Sequence, residues 1–272
     1  MRMKNPNSLD TICGALAYAL GIDPPEKAAP KNSDLAAFVD KAFDGEKADR
    51  LVMYNPDAVA QWVWEKYPWF FRDAMRNVDI EVPLATVMPS VTPVSFATMY
   101  TGAQPEVHGI QKYEKPVLTI DTLFDALIRA GKKVAVITYA KCSISRIFLE
   151  REMDYYHYEN GSIEDVDAKA VEVLLEDKHD VVIIYDGNYD SWMHKKGPES
   201  PEALSELRIN CHMYSMIAKL IGANWKHHNT LLGFAMDHGC HEIDDGCGSH
   251  GLDMDEDINI VHLYKAFKAE KA

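Results

Sequence analysis

Four short apolar runs, each giving way to polar residues, constrain this chain more than any other feature. They are LVMYN (51–55), KVAVITY (133–139), DVVIIY (180–185) and TLLGFAM (230–236). Each is short for a helix and too continuously apolar for a strand with one wet face, so each reads as a strand buried on both faces. Helical patterns lie between them at 56–65, 93–100, 121–129 and 200–221. Alternation of buried strands and helices implies an α/β domain with a mainly parallel central sheet flanked by helices. A less regular extended stretch occupies 80–87, and 258–263 is expected as an edge strand. Near the N-terminus, the apolar run 12–22 reads as an amphipathic helix capped near Ser8 or Asp10. The Pro- and Lys-rich 21–34 reads as a loop, with Ser33 and Asp34 capping a helix through 42. The expected organisation is one domain over 1–272, an N-terminal helical segment and loop (1–48) followed by the core (49–272).

Charge and cysteine usage narrow the partners. Twenty-eight Lys and Arg against 42 Asp and Glu leave a formal charge of −14, which repels a nucleic acid backbone. The five cysteines (Cys13, Cys142, Cys211, Cys240, Cys247) are odd in number and scattered, unlike a disulfide framework. Free thiols point to a reducing compartment, and the expected location is the cytoplasm. No apolar run reaches the ~18–20 residues of a membrane span. Arg2 and Lys4 before an apolar run imitate a signal peptide, but Asp10 interrupts the pattern and no small-residue cleavage site follows.

The polar residues collect where chemistry is expected. The first run gives way to Pro56-Asp57, the third leads through Asp186 to Asp190 and His194, and the fourth runs into Asp237-His238-Gly239. The extended stretch near 80–87 leads into a segment containing Thr92. In open α/β sheets the ligand crevice lies beyond the carboxyl ends of the strands, so these residues can converge there. Carboxylates and imidazoles suit zinc or manganese, and this set, with His250, is large enough for two ions.

PSVTPVSFATMYTGAQPEVHGI (89–110) resembles the nucleophile segment of the alkaline phosphatase superfamily, in particular its type I phosphodiesterase/nucleotide pyrophosphatase branch. Thr92 and Gly102 keep that branch's ten-residue spacing, and a Pro-Glu-x-His-Gly element follows. DSWMHKKGP (190–198), DHG (237–239) and GSHG (248–251) resemble the branch's metal segments, in its order. The resemblance implies an alkaline-phosphatase-like core that hydrolyses phosphate esters with two divalent metals, zinc or manganese. Thr92 would be the nucleophile. Asp190, His194 and His250 would hold one metal, and Asp57, Asp237, His238 and the Thr92 oxygen the other. Asn55 is the alternative to Asp57, because Asn55 and Pro56 stand where the family's aspartate follows its strand. Ser95 stands where relatives often place an asparagine that holds a phosphoryl oxygen, and would bind substrate. Only eleven residues separate His238 from His250, which implies a reduced cap.

A threonine hydroxyl needs a base or a metal to ionise it, and a metal pair suits in-line displacement. Two divalent ions would add four positive charges where the aspartates meet, so a small anionic ester is compatible with the acidic chain. Phosphodiesters or nucleotide pyrophosphates are the expected substrates. Phosphomonoesters, or a non-catalytic metal-stabilised binding domain, are the alternatives.

Other motifs read as structural. Cys240, His241, Cys247 and His250 do not match a structural zinc spacing and would compete for His250. Cys142-Ser-Ile-Ser-Arg146 is too short for a cysteine-phosphatase loop. Trp62 and Trp64 are expected to pack, Trp64 being the better candidate for a base-stacking or oligomer contact. DYYHY (154–158) reads as packing or surface, Asp186 as a turn cap, and Asp253 to Asp257 as a solvated acidic loop.

Overall fold

A computed structural model describes residues 4–159 and 162–270. The four apolar runs form β1 (Arg50–Pro56), β3 (Val134–Tyr139), β5 (Val181–Asp186) and β6 (Thr230–Phe234). With β2 (Ile80–Ala85), β4 (Asp154–Tyr158) and β9 (Asn259–Phe267) they build a seven-stranded sheet in the order β2-β9-β6-β1-β5-β3-β4. β7 (His241–Ile243) and β8 (Cys247–Ser249) form a separate antiparallel hairpin. Every residue of β5 and β6 is buried, as continuous apolar runs in a parallel sheet demand. The sheet is mainly parallel, and β9 alone runs against its neighbours.

Several expectations need correction. β9 is not an edge strand but lies between β2 and β6. The edge is β2, whose alternating burial and internal Pro83 fit a strand with one unpaired side. DYYHY forms the opposite edge, β4. The helix expected from 56 begins only at Gln61–Lys66, because β1 continues through Pro56 and Ala58 turns the chain at a φ of 61°. The first helix, Thr11–Ala19, is not amphipathic, with seven of its nine residues buried. Its Asp10 makes no side-chain cap and instead accepts from Gln104 Nε2 at 2.6 Å. Asn32, not Ser33 or Asp34, caps the second helix, accepting from the backbone N–H groups of Asp34 and Leu35.

Register brings the site together. Pro56 pairs with Asp186 across β1 and β5, and Tyr54 with Phe234 across β1 and β6, so β1 and β5 end level and β6 ends two residues short of them at the same end of the sheet. The fully buried helix Thr92–Thr101 starts beyond the β2 end and closes at Gly102. Gly102 has a φ of 69°, and a Cβ there would lie 2.7 Å from that of Ala28 and 2.9 Å from that of Cys13. The glycine of the nucleophile segment is therefore also where the N-terminal segment packs against the core.

Candidate active site

At these strand ends the chain gathers two groups of potential ligands: Asp57, Asp237 and His238, all buried, and Asp190, His194 and His250. Asp57 directly follows β1, and its N–H donates to the Asp186 carbonyl at 2.9 Å. Asn55 is excluded from the cluster. It lies within β1, donates to the Met53 and Ile184 carbonyls and accepts from the Tyr100 hydroxyl at 2.9 Å. Asp190 and His194 stand one turn apart on the helix Asn188–Lys196, with Nε2 and Oδ1 at 3.2 Å. His250 follows the β7–β8 hairpin, its Nε2 3.1 Å from that of His194 and 3.4 Å from Asp190 Oδ1. The groups abut, with the His238 and His250 rings 4.2 Å apart. His194 is 43% exposed while His238 and Asp237 are wholly buried, so the open side of the site is that of Asp190, His194 and His250.

Thr92 opens its helix at the junction. Its hydroxyl oxygen lies 3.3 Å from His238 Nε2 and 3.3 Å from Asp57 Oδ2. Ser95, one turn on, is not brought to the cleft. It is fully buried, its hydroxyl 3.1 Å from that of Thr86, which donates onward to the Asp237 carbonyl. With the Thr86 proton committed, Ser95 is the donor of that pair, which leaves it no proton for a substrate.

The donor chemistry fits divalent cations. Each histidine directs Nδ1 at a backbone carbonyl: His194 at Gly248, His238 at Gly239 and His250 at Ser90, at 3.0, 2.9 and 3.2 Å. That bond fixes the proton on Nδ1 and turns the Nε2 lone pair toward the carboxylates, where only a proton or a cation makes the contact attractive. Asp190 Oδ1 and Asp237 Oδ2, one in each group, are buried without a hydrogen-bond partner. The charges carry the same strain. Burial, then the Asp190 charge, pushes the Asp57 carboxyl up to about 7, and burial raises Asp237 well above the carboxylate range. Burial pushes His238 down to about 3. Burial also opposes ionisation of Asp190, but the positive charge that His194 and His250 would carry as imidazolium outweighs it and holds that carboxyl low, the same effect a bound cation would have. A divalent ion reverses the unfavourable carboxylate pairings.

Two supports were not visible in the residue pattern. The Tyr185 hydroxyl donates to Asp57 Oδ2, and the Ala58 N–H donates to Asp237 Oδ1 at 3.1 Å. A tyrosine closing DVVIIY was the one available signal for the former, and a backbone N–H carries none. Gly239 is required beside His238, because a Cβ there would lie 2.0 Å from the Glu256 carbonyl oxygen. Among the residues read as structural, Cys240 is buried against the Tyr189 hydroxyl at 3.8 Å. Trp62, rather than Trp64, lines a cavity of about 810 Å³. Its indole N–H donates to the Cys240 carbonyl.

A mainly parallel α/β sheet with abutting carboxylate–imidazole clusters at its strand ends, and a threonine hydroxyl against one of them, defines an alkaline-phosphatase-like architecture. A model of the type I phosphodiesterase/nucleotide pyrophosphatase family matches residues 55–269, and the chain belongs to that family. Solved structures share the fold. Murine ectonucleotide pyrophosphatase/phosphodiesterase 5 superposes with a TM-score of 0.57 at 18% identity, over 72% of this chain and 58% of its own. The human counterpart gives 0.58 at 14% identity, over 81% of this chain and 90% of its own. Phosphonoacetate hydrolase from Sinorhizobium meliloti, in complex with phosphonoformate, gives 0.54 at 17%, over 73% and 59%. The murine protein is also known as an inactive threonine-to-alanine variant in complex with AMP. The chain thus spans less than two thirds of the murine and bacterial structures. No curated protein sequence matches it.

Proposed function

We propose that the chain is a metal-dependent phosphoric ester hydrolase acting through a phosphorylated Thr92, with small phosphodiesters or nucleotide pyrophosphates as substrates. The observation that carries this reading is the Thr92 hydroxyl, 3.3 Å from both His238 Nε2 and Asp57 Oδ2 of one cluster, with the second cluster abutting it and each leaving a carboxylate oxygen unpartnered. Asp190, His194 and His250 would hold one divalent ion, zinc or manganese. Asp57, Asp237, His238 and the Thr92 oxygen would hold the other. Such ions supply Lewis-acid polarisation of the phosphoryl group and compensation of its developing charge. The chain's own residues do the positioning. The helix start fixes Thr92, carbonyls of Ser90, Gly239 and Gly248 orient the imidazoles, and Tyr185 steadies Asp57. Thr92 Oγ1 attacks phosphorus in line with the ester oxygen, that oxygen leaves, and water then cleaves the phosphothreonine. Membership of a phosphodiesterase family and the inactive threonine variant of the AMP-bound murine relative support the reading.

Elemental analysis with matched ester assays tests it. The expected result is about two zinc or manganese ions per chain, with bis(p-nitrophenyl) phosphate cleaved at least about tenfold faster than p-nitrophenyl phosphate. The reverse preference would favour a phosphomonoesterase. Bound metal without turnover of any ester would favour a binding domain. Neither metal nor activity after adding zinc or manganese would overturn the proposal.

A further inference from the structure

At the C-terminal end of β3 the chain forms a cavity of about 200 Å³ lined by Lys141, Ser145, Arg146 and His157, with the exposed Glu159 at its rim. Three observations set it apart. First, His157 Nε2 is buried without a hydrogen-bond partner, and the imidazole is held neutral by burial and by the nearby Arg146 charge. Second, in a chain of −14 the cations here are unpaired. Among the described residues neither Lys141 nor Arg146 has a carboxylate within 4.0 Å, and Lys115 adds a third cation by donating to the Lys141 carbonyl at 3.0 Å. Third, Lys141 holds a φ of 69°, a conformation that asparagine or glycine adopts at lower cost. Unpaired guanidinium and ammonium groups around an unsatisfied imidazole nitrogen, which donates in its Nε2–H tautomer, are the complement of an oxyanion.

The cavity lies at the same end of the sheet as the metal clusters, with two tyrosines between them. Tyr139 immediately precedes it, the Tyr139 ring lies 5.5 Å from that of Tyr185, and Tyr185 donates to Asp57. We infer that this pocket binds a carboxylate or phosphoryl oxyanion, the second anionic group of a substrate whose reacting phosphoryl lies at Thr92. The substrate assignment rests on the hydrolase reading above; the anion site itself does not. A bis-anionic ester would then lie across the Tyr139–Tyr185 pair, with Arg146 and Lys141 setting its specificity.

Two arms test this on the metal-loaded protein, comparing wild type with Lys141→Gln/Arg146→Gln, both exposed positions outside the metal clusters. In the first, inorganic phosphate is titrated while the His157 ring signals are followed by NMR. A saturable shift at millimolar phosphate that disappears in the double variant is expected. No saturable shift in the wild type, or the same shift in both proteins, overturns the site. In the second, a phosphodiester carrying a distal carboxylate is compared with bis(p-nitrophenyl) phosphate. The double variant should raise KM about tenfold for the former, as loss of a charged hydrogen bond does, and leave the latter unchanged. A lost His157 shift with equal KM values refutes the substrate role and assigns the pocket to free anion. If no ester is turned over, the hydrolase reading has failed while the NMR arm still decides the pocket.

Discussion

Tyr185 shows how much of the site depends on side chains that are not themselves ligands. Its hydroxyl donates to Asp57 Oδ2, and its ring packs edge-on against Phe96 of the nucleophile helix, centroids 5.6 Å apart. Tyr185→Phe keeps that packing and removes only the hydroxyl. The expected result is a 10- to 100-fold loss of metal affinity at the Asp57 cluster with unchanged thermal stability of the apoprotein, read by zinc titration calorimetry. Unchanged affinity would show that Asp57 is oriented without it. The contrast with Ser95 is instructive. Thr92, Asp190, His194, Asp237, His238 and His250 were legible because they sit in short segments whose glycines and prolines fix the backbone. Ser95 shares such a segment, but its position one helical turn after Thr92 points it at Thr86, and periodicity alone does not say which side of a fully buried helix faces the cleft.

Among the elements, the helix Ile163–Glu176 and β5 meet around two carboxyls, the half-buried Asp167 and the buried Asp186. Asp186 does more than cap its turn: it accepts from the Asn188 N–H, the Tyr54 hydroxyl and Asn210 Nδ2. Burial still pushes it up to about 6. Burial, then the Asp186 charge, pushes Asp167 up to about 7, and Asp167 Oδ1 is buried without a partner. A carboxyl whose folded pKa is raised stabilises the fold below its unfolded value, near 3.9, and loses that contribution as pH rises through the folded value. Between pH 5 and 8, therefore, this pair makes the protein less stable as pH increases. Asp167→Asn should gain about 1–2 kcal/mol more at pH 8 than at pH 5, measured by urea denaturation. An equal gain at both values would place the effect elsewhere. The same elements mark the limit of pattern reading. β1, β3, β5 and β6 are continuous apolar runs and were read directly. β4, the helix Asn188–Lys196 and the β7–β8 hairpin are polar and half-exposed, and their structure comes from tertiary pairing. The place of β9 between β2 and β6 is likewise set by tertiary pairing, which its own residues do not carry.

For the whole molecule, the charge of −14 and the proposed anionic substrate are reconciled by where the charges fall. Asp57, Asp190 and Asp237 converge, with Asp190 Oδ1 and Asp237 Oδ2 unpartnered, so the strongest local acidity is a candidate cation site, and divalent ions bound there would invert the potential. The unpaired cations at Lys141 and Arg146 lie beyond the same sheet end. The N-terminal segment ahead of the family match is part of the same body, with Leu9 and Ala85 bonded at 2.9 Å and Ala28 packed on Gly102. The central claim is that Thr92 carries the phosphoryl group, and one measurement reaches it directly. The zinc- or manganese-loaded protein is acid-quenched during turnover of a phosphodiester, digested and analysed by mass spectrometry. The account predicts one substrate-derived phosphoryl adduct on Thr92, absent from Thr92→Ala, which retains its metals and fold but loses turnover at least about 1,000-fold. Near-wild-type turnover by Thr92→Ala, or an adduct on another residue, would contradict it.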